Sequence, residues 1–240
     1  MRMIDLNVDL GEGGAHDAEL IALASSANIA CGGHAGDEST MRAAVSACLE
    51  HGVAIGAHPG YEDRENFGRV PMNLSAEEVA DLVSRQVERL ATITEIHHVK
   101  PHGALYNQAD RDPVLAAAVV RGVVRVLPGC VLYAPPAGAL ASAAKTAGLT
   151  LHAEGFADRR YQTDGSLVPR NEAGAVIEKV PEAVAQALEI ALRQRVKTRK
   201  NPWIPLPART ICVHGDGLEA LRLLGEIRRS LEAAGFTIRA

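Results

Sequence analysis

IHHVKPHGALYN, residues 96–107, sets a short apolar segment ending at Val99 against Lys100, His102, Tyr106 and Asn107. The change from strand-forming to site-forming chemistry takes one residue, and the layout recurs along the chain. Residues 4–10 alternate Ile4, Leu6, Val8 and Leu10 with Asp5, Asn7 and Asp9, the period of two expected of a strand, and run into Gly11, Glu12, Gly13 and Gly14. Residues 27–31 lead into GGHAGD with His34 and Asp37, and residues 53–57 lead to His58, Tyr61 and Asp63. Residues 130–134 end in Pro135 and Pro136, residues 149–153 lead to Glu154, Asp158, Arg159 and Tyr161, and residues 210–213 lead to His214 and Asp216.

Helical patterns separate these runs. Asp17 is the expected N-cap of a helix over 17–26, and Gly52 closes one over 38–51. Ser75 and Glu78 form a capping box for a helix reaching Thr94, and Asp112 with Pro113 opens another over 114–127. An alanine-rich helix ends at Gly148, the next begins near Pro181, and an amphipathic one closes the chain over 217–235. KTRKNPWIPLP, residues 197–207, reads as a surface wrap. About seven strands alternating with helices predict right-handed βαβ units and a mainly parallel sheet, closed as a barrel or open and doubly wound. In either architecture, residues just beyond the carboxyl ends of the strands share one face, so these polar groups become neighbours.

The 240 residues are read as one domain, 1–240, whose core is built from Ala, Val, Leu and Ile, since 47% are hydrophobic and only 3% aromatic. With 25 basic against 29 acidic residues and no long basic stripe, nucleic acid is not an expected partner. Asp5 and Asp9 interrupt the first apolar run, and Arg121 with Arg125 interrupts residues 114–127. Neither a secretory signal nor a membrane span is expected, and a soluble cytoplasmic protein is. The four cysteines form no C-x-x-C pair and are expected reduced, Cys48 and Cys130 as buried apolar groups and Cys31 and Cys212 beside the site loops. Gly-Lys never occurs, so there is no Walker A loop, and G-x-G-x-x-G and G-x-S-x-G are also missing.

His34, His58, His102 and His214 stand at successive strand ends, and with Asp9 or Asp216 they have the ligand types for zinc, manganese or nickel. His34, His58 and His214 are the candidate ligands of such a divalent metal, although no tight metal signature joins them. The catalytic candidates are Asp9 or Asp216 as base, His102 as acid and Lys100 as the group holding an oxyanion, with a salt bridge from Lys100 to Asp9 or Glu12 as the alternative. Asp5 is expected in a structural ion pair. The substrate-binding candidates are Asn7, His34, His58, Arg69, Tyr106, Asn107, Glu154 and Arg159.

Seven motifs in one order carry a resemblance: DLNVDLGEG at 5–13, ANIACGGHAGD at 27–37, GAHPGYED with FGR at 56–63 and 67–69, VKPHGALYN at 99–107, EGFADRRY at 154–161, DGSLVPR at 164–170 and CVHGD at 212–216. The chain resembles the LamB/YcsF family, to which the A subunit of bacterial 5-oxoprolinase belongs. The resemblance implies an irregular α/β fold, a (β/α) barrel of about seven parallel strands like that of the polysaccharide deacetylases. It also implies ATP-dependent opening of 5-oxo-L-proline to L-glutamate together with partner subunits B and C, with ATP and Mg used jointly with those partners. A lactam is a poorly electrophilic amide, and phosphorylating its oxygen creates a leaving group. In that reaction Asp9 or Asp216 would activate water, His102 would protonate the departing nitrogen, Lys100 would hold the negative oxygen, and Arg159 or Arg69 would grip the substrate carboxylate. Gly33 replaces the family's usual Phe and Glu38 its usual Pro; loss of the ring is expected to widen the pocket. The rival reading is a metal-dependent amide hydrolase or sugar deacetylase acting alone. A homo-oligomer is left open.

Overall fold

The computed structural model describes residues 2–215 and 219–240. The first strand, β1 (Arg2–Leu10), is followed by α1 (Asp17–Leu23), β2 (Ser26–Ala30), α2 (Glu38–His51), β3 (Ala54–His58) and α3 (Ala76–Ala91). Then come β4 (His98–Val99), α4 (Gly103–Arg111), α5 (Pro113–Val126), β5 (Val131–Ala134), α6 (Ala139–Thr146) and β6 (Thr150–Phe156). The last third holds α7 (Val180–Arg193), β7 (Arg195–Lys197), β8 (Trp203–Pro205), β9 (Thr210–Val213), α8 (Ala220–Ala233) and β10 (Phe236–Ile238).

Seven of the strands pair in parallel in the order β1, β2, β3, β4, β5, β6, β9, and β9 pairs back onto β1, which closes the ring. Of the two sheet forms the alternation allows, the molecule takes the closed one. It is an irregular barrel, because β4 has only two residues and β10 adds to the first residues of β1 outside the ring. β7 and β8 form a separate antiparallel hairpin.

The alternation of β1 decides what the barrel contains. Ile4, Leu6, Val8 and Leu10 are buried with the helix faces, while Asp5, Asn7 and Asp9 are equally buried yet bonded to side chains of other barrel strands. Their side chains therefore fill the barrel interior, together with Ser26, Asn28, His98, Glu154 and Thr210. A buried polar group costs free energy unless it is hydrogen-bonded, so such a lumen is stable only as a connected network. Asp5 is not in the expected ion pair. Instead it accepts from the hydroxyls of Ser25, Ser26 and Thr210 at 2.5–2.9 Å, because the side chains that meet it at that depth of the barrel are alcohols, whose donors satisfy the carboxylate in place of a cation.

Local signals place the helices. Ser75 and Glu78 make the expected capping box, and the Asp112 carboxylate accepts from the N–H groups of Val114 and Leu115 above Pro113. Arg121 and Arg125, which interrupt the apolar run of α5, pair with Glu77 and Asp81 of α3. Among the described residues no helix is long and apolar enough to cross a membrane. Asp17 is the first helical residue rather than the cap. Its carboxylate reaches back to the Gly11 N–H at 2.9 Å and pins the loop carrying Glu12.

Candidate functional site

VKPHGALYN is not simply a loop. β4 ends at Val99, Lys100 to His102 cross the mouth of the barrel, and α4 starts at Gly103, so Tyr106 and Asn107 are helical residues. One turn of helix thus lays the Tyr106 hydroxyl on Glu154 Oε2, at 2.9 Å. Lys100 is almost wholly buried, and its Nζ lies 2.8 Å from Asp9 Oδ1, 3.0 Å from Glu154 Oε1, 3.3 Å from Asn7 Oδ1 and 3.0 Å from Cys212 Sγ. Burial alone would disfavour the ammonium, but Asp9, Cys212 and Glu154 outweigh it and hold its pKa well above that of an ordinary lysine. Asp9 answers in the same sense: burial opposes its charge, while the Lys100 ammonium keeps its pKa well below the usual carboxylate range. The site therefore contains a fixed positive charge between two carboxylates.

A second group adjoins it. His58 Nε2 lies 3.5 Å from Asp9 Oδ2 and 2.9 Å from His102 Nδ1, and the Glu12 carboxylate sits 3.1 Å from His34 Nε2 and 3.5 Å from His102 Nδ1. The rings of His34 and His102 stack at 3.7 Å. Glycines make room for them: a Cβ at Gly60 would fall 2.7 Å from His34 Nδ1, and one at Gly68 would fall 2.7 Å from His34 Cβ. Four side chains, Glu12, His34, His58 and His102, each present a ligand atom within 4.8 Å of the others.

His214 does not join that group. Its Nδ1 and backbone N–H both engage Asp158, at 2.9–3.0 Å, and its ring stacks on Phe156. This pair ties the ends of β6 and β9 together. Glu12 and His102 stand with His34 and His58 instead. Asp216 lies outside the described residues. Asp37, which the sequence places among the site groups, is the exposed N-cap of α2.

His102 as a proton donor also requires correction. Its Nε2 donates to the Phe67 carbonyl at 2.9 Å, and burial, with His34 and His58 beside it, keeps its pKa well below that of a free imidazole. The ring is neutral, and its one proton faces away from the Lys100 site. Arg159 is buried in its own loop, where Nη2 donates to the Val168 carbonyl at 2.6 Å, so its guanidinium serves that loop. Arg69 is exposed, with its guanidinium 4.7 Å from the Phe67 ring.

Beside the Lys100 site a cleft opens between α4, the Pro135–Pro136 loop and residues 165–167, with Tyr106, Glu154, Phe156 and Tyr161 in its wall. Asn107, Asp110 and Arg111 line it as well. Asp110 and Arg111 do not stand out in the sequence, because only the helical geometry of α4 shows that residues 106, 107, 110 and 111 share one face. A spacing of four from Tyr106 to Asp110 and from Asn107 to Arg111 is the available signal. Asp110 is partly buried with Oδ1 unpartnered, and burial pushes its carboxyl up to about 6. A carboxyl whose pKa is raised in the native state costs nothing below its unfolded value; the penalty builds as pH rises from there through the native value and is complete above it. Replacing Asp110 with Asn is therefore expected to stabilise the protein at pH 8 by about 1 kcal/mol, after discounting for solvent screening, and to have no effect below about pH 4. Urea denaturation at both pH values measures this.

Polar contacts run without a break from Glu12 through His102, His58, Asp9, Lys100 and Glu154 to Tyr106. The fold is a seven-stranded parallel (β/α) barrel of the polysaccharide-deacetylase type. A family 4 carbohydrate esterase from Streptomyces lividans aligns over 99% of this chain and 91% of its own, with a TM-score of 0.53 at 13% identity. The peptidoglycan deacetylase PdaC from Bacillus subtilis aligns over 99% and 87%, with a TM-score of 0.51 at 11% identity. Within that class the chain belongs to the LamB/YcsF family, whose model matches residues 4–240. The structure of a lactam utilization protein from Thermus thermophilus is 38% identical, covers 99% of both chains and superposes with a TM-score of 0.92.

Proposed function

We propose that this chain hydrolyses a cyclic amide, and specifically that it is the A subunit of an ATP-dependent 5-oxoprolinase working with subunits B and C. The observation that carries the reading is the buried Lys100 ammonium, held between Asp9 and Glu154 next to a small cleft that Arg111 lines. Similarity to a lactam utilization protein supports the substrate class. ATP is a co-substrate whose phosphoryl group activates the lactam oxygen in the complete assembly.

In this reading Arg111 pairs with the carboxylate of 5-oxoproline at the rim, and the ring enters beside Phe156. Lys100 stabilises the negative charge on the phosphorylated ring oxygen as water adds to the ring carbon, and being already charged and desolvated it needs little reorganisation. Asp9, whose Oδ2 is turned away from Lys100 toward His58, takes the proton of the attacking water. The C–N bond breaks, and Asp110 supplies a proton to the departing nitrogen, a role suited to a carboxyl with a pKa of about 6; the acyl phosphate so formed then takes up a second water and releases inorganic phosphate, leaving glutamate. Tyr106 keeps Glu154 in place.

Mixing the protein with subunits B and C and following glutamate release from 5-oxoproline tests the reading. Glutamate is expected only when ATP is present, and Arg111→Ala is expected to raise KM about tenfold or more with kcat less affected. No ATP-dependent glutamate from the complete mixture overturns the assignment. The Glu12, His34, His58 and His102 group favours the rival, a metal-dependent amide hydrolase acting alone; release of acetate from an N-acetyl sugar by this chain without ATP would decide for it.

A further inference from the structure

The hydrogen bonds of His58 and His102 fix their tautomers. His58 Nδ1 lies 2.7 Å from the Lys100 carbonyl oxygen, which only accepts, so Nδ1 carries a proton and in the neutral ring Nε2 is a bare lone pair. His102 Nε2 lies 2.9 Å from the Phe67 carbonyl oxygen, so its proton is there and Nδ1 is bare. These two lone pairs face each other across 2.9 Å. Two acceptors cannot bond one another, and both rings are buried where water is scarce. Glu12 Oε1 lies 3.5 Å from His102 Nδ1 and 3.9 Å from His58 Nε2, adding negative charge to the same gap.

We infer that a divalent first-row transition-metal ion binds here, with His58 Nε2, His102 Nδ1 and Glu12 as its principal ligands and His34 beside Glu12 completing the set. The arrangement has the parts such a site needs. Nitrogen donors predominate, which favours zinc, cobalt or nickel over magnesium or calcium. Each fixed histidine donates its other N–H to a backbone carbonyl, the outer-shell contact that aims a lone pair at a metal. The rings are supplied by three different strand ends, β2, β3 and β4, and the carboxylate by a fourth, β1, so the site is built by barrel closure. Binding of the ion stands whether or not the chain opens a lactam.

The experiment titrates the metal-stripped full-length protein with Co²⁺ and with Zn²⁺, following Co²⁺ visible absorption and heat, with Mg²⁺ as the comparison ion. One Co²⁺ or Zn²⁺ per chain is expected, with the visible bands of nitrogen-ligated Co²⁺ and no comparable uptake of Mg²⁺. His58→Ala and His102→Ala are each expected to weaken Co²⁺ binding about a hundredfold, and Glu12→Gln about tenfold, the size-conserving change guarding against a folding loss that circular dichroism would reveal. Absence of stoichiometric binding overturns the inference and leaves a shared proton as the occupant of the gap. Binding that survives in the folded His58→Ala/His102→Ala protein also overturns it, since the ion then sits on exposed residues such as His16 or His51.

Discussion

Lys100→Met is expected to abolish ATP-dependent glutamate release in the reconstituted assembly and to destabilise the chain by about 3–5 kcal/mol, the usual cost of removing one partner from a buried ion pair. Methionine matches the length of the lysine stem but leaves Asp9 and Glu154 facing each other without a cation inside the barrel. For a chain of this size the loss corresponds to roughly 6–20 °C in Tm. Its pH dependence has a definite sign. The Lys100 contribution is present below the ordinary lysine pKa and is lost only as pH rises through its elevated native value. The Asp9 contribution is present above the ordinary carboxylate pKa and is lost only as pH falls through its lowered native value. The difference between wild type and variant should therefore be flat from about pH 5 to 9 and narrow outside that window. Adding Asp9→Asn to Lys100→Met removes one of the stranded charges and should recover part of the stability while leaving activity lost. Thermal unfolding of wild type and both variants across that pH range checks the pair; a Lys100→Met protein with unchanged Tm and full activity would remove the lysine from both roles.

The parts of this site that are legible in the sequence are those that local chemistry encodes. A period of two over residues 4–10 places Asp5, Asn7 and Asp9 on one face, and closing the barrel turns that face inward. Capping residues at Ser75 and Asp112 mark helix starts because each satisfies an orphan N–H within three residues. Histidine partners are not legible in the same way. His102 and His214 both follow a strand end, yet one faces His58 and the other Asp158, and only the stagger of the strands around the barrel decides which. The Pro-rich segment hides the β7–β8 hairpin, since Pro202 precedes and Pro205 ends a three-residue strand too short to show a period. Arg159 and Arg111 carry the same guanidinium; burial in the 159–168 loop separates the first from the cleft.

Gly33→Phe introduces the ring that the LamB/YcsF resemblance implies at this position, yet it is expected to destabilise the protein by about 2–6 kcal/mol, the sum of two stranded backbone groups at about 1–3 kcal/mol each. Absence of the aromatic ring does not widen the pocket as expected, because the space is filled: a Cβ at position 33 would fall 2.5 Å from Gln86 Nε2 and 2.6 Å from its Oε1. A glutamine amide usually moves aside cheaply. This one is wholly buried, accepts from the Gly60 N–H at 3.0 Å and donates to the Gly60 carbonyl at 2.7 Å, so displacing it strands both backbone groups. Gly60 in turn leans on His34 and His102, which gives the substitution a reach into the histidine group without touching it. Co²⁺ affinity should fall together with stability. Gly33→Phe combined with Gln86→Ala opens space for the ring at the cost of the same two hydrogen bonds, so the double variant should be no less stable than Gly33→Phe alone, while Gln86→Ala alone should already show most of the loss. That ordering separates steric displacement from a simple intolerance of bulk at position 33: additive losses in the double variant, measured by urea denaturation, would mean that Gln86 is not what the ring displaces.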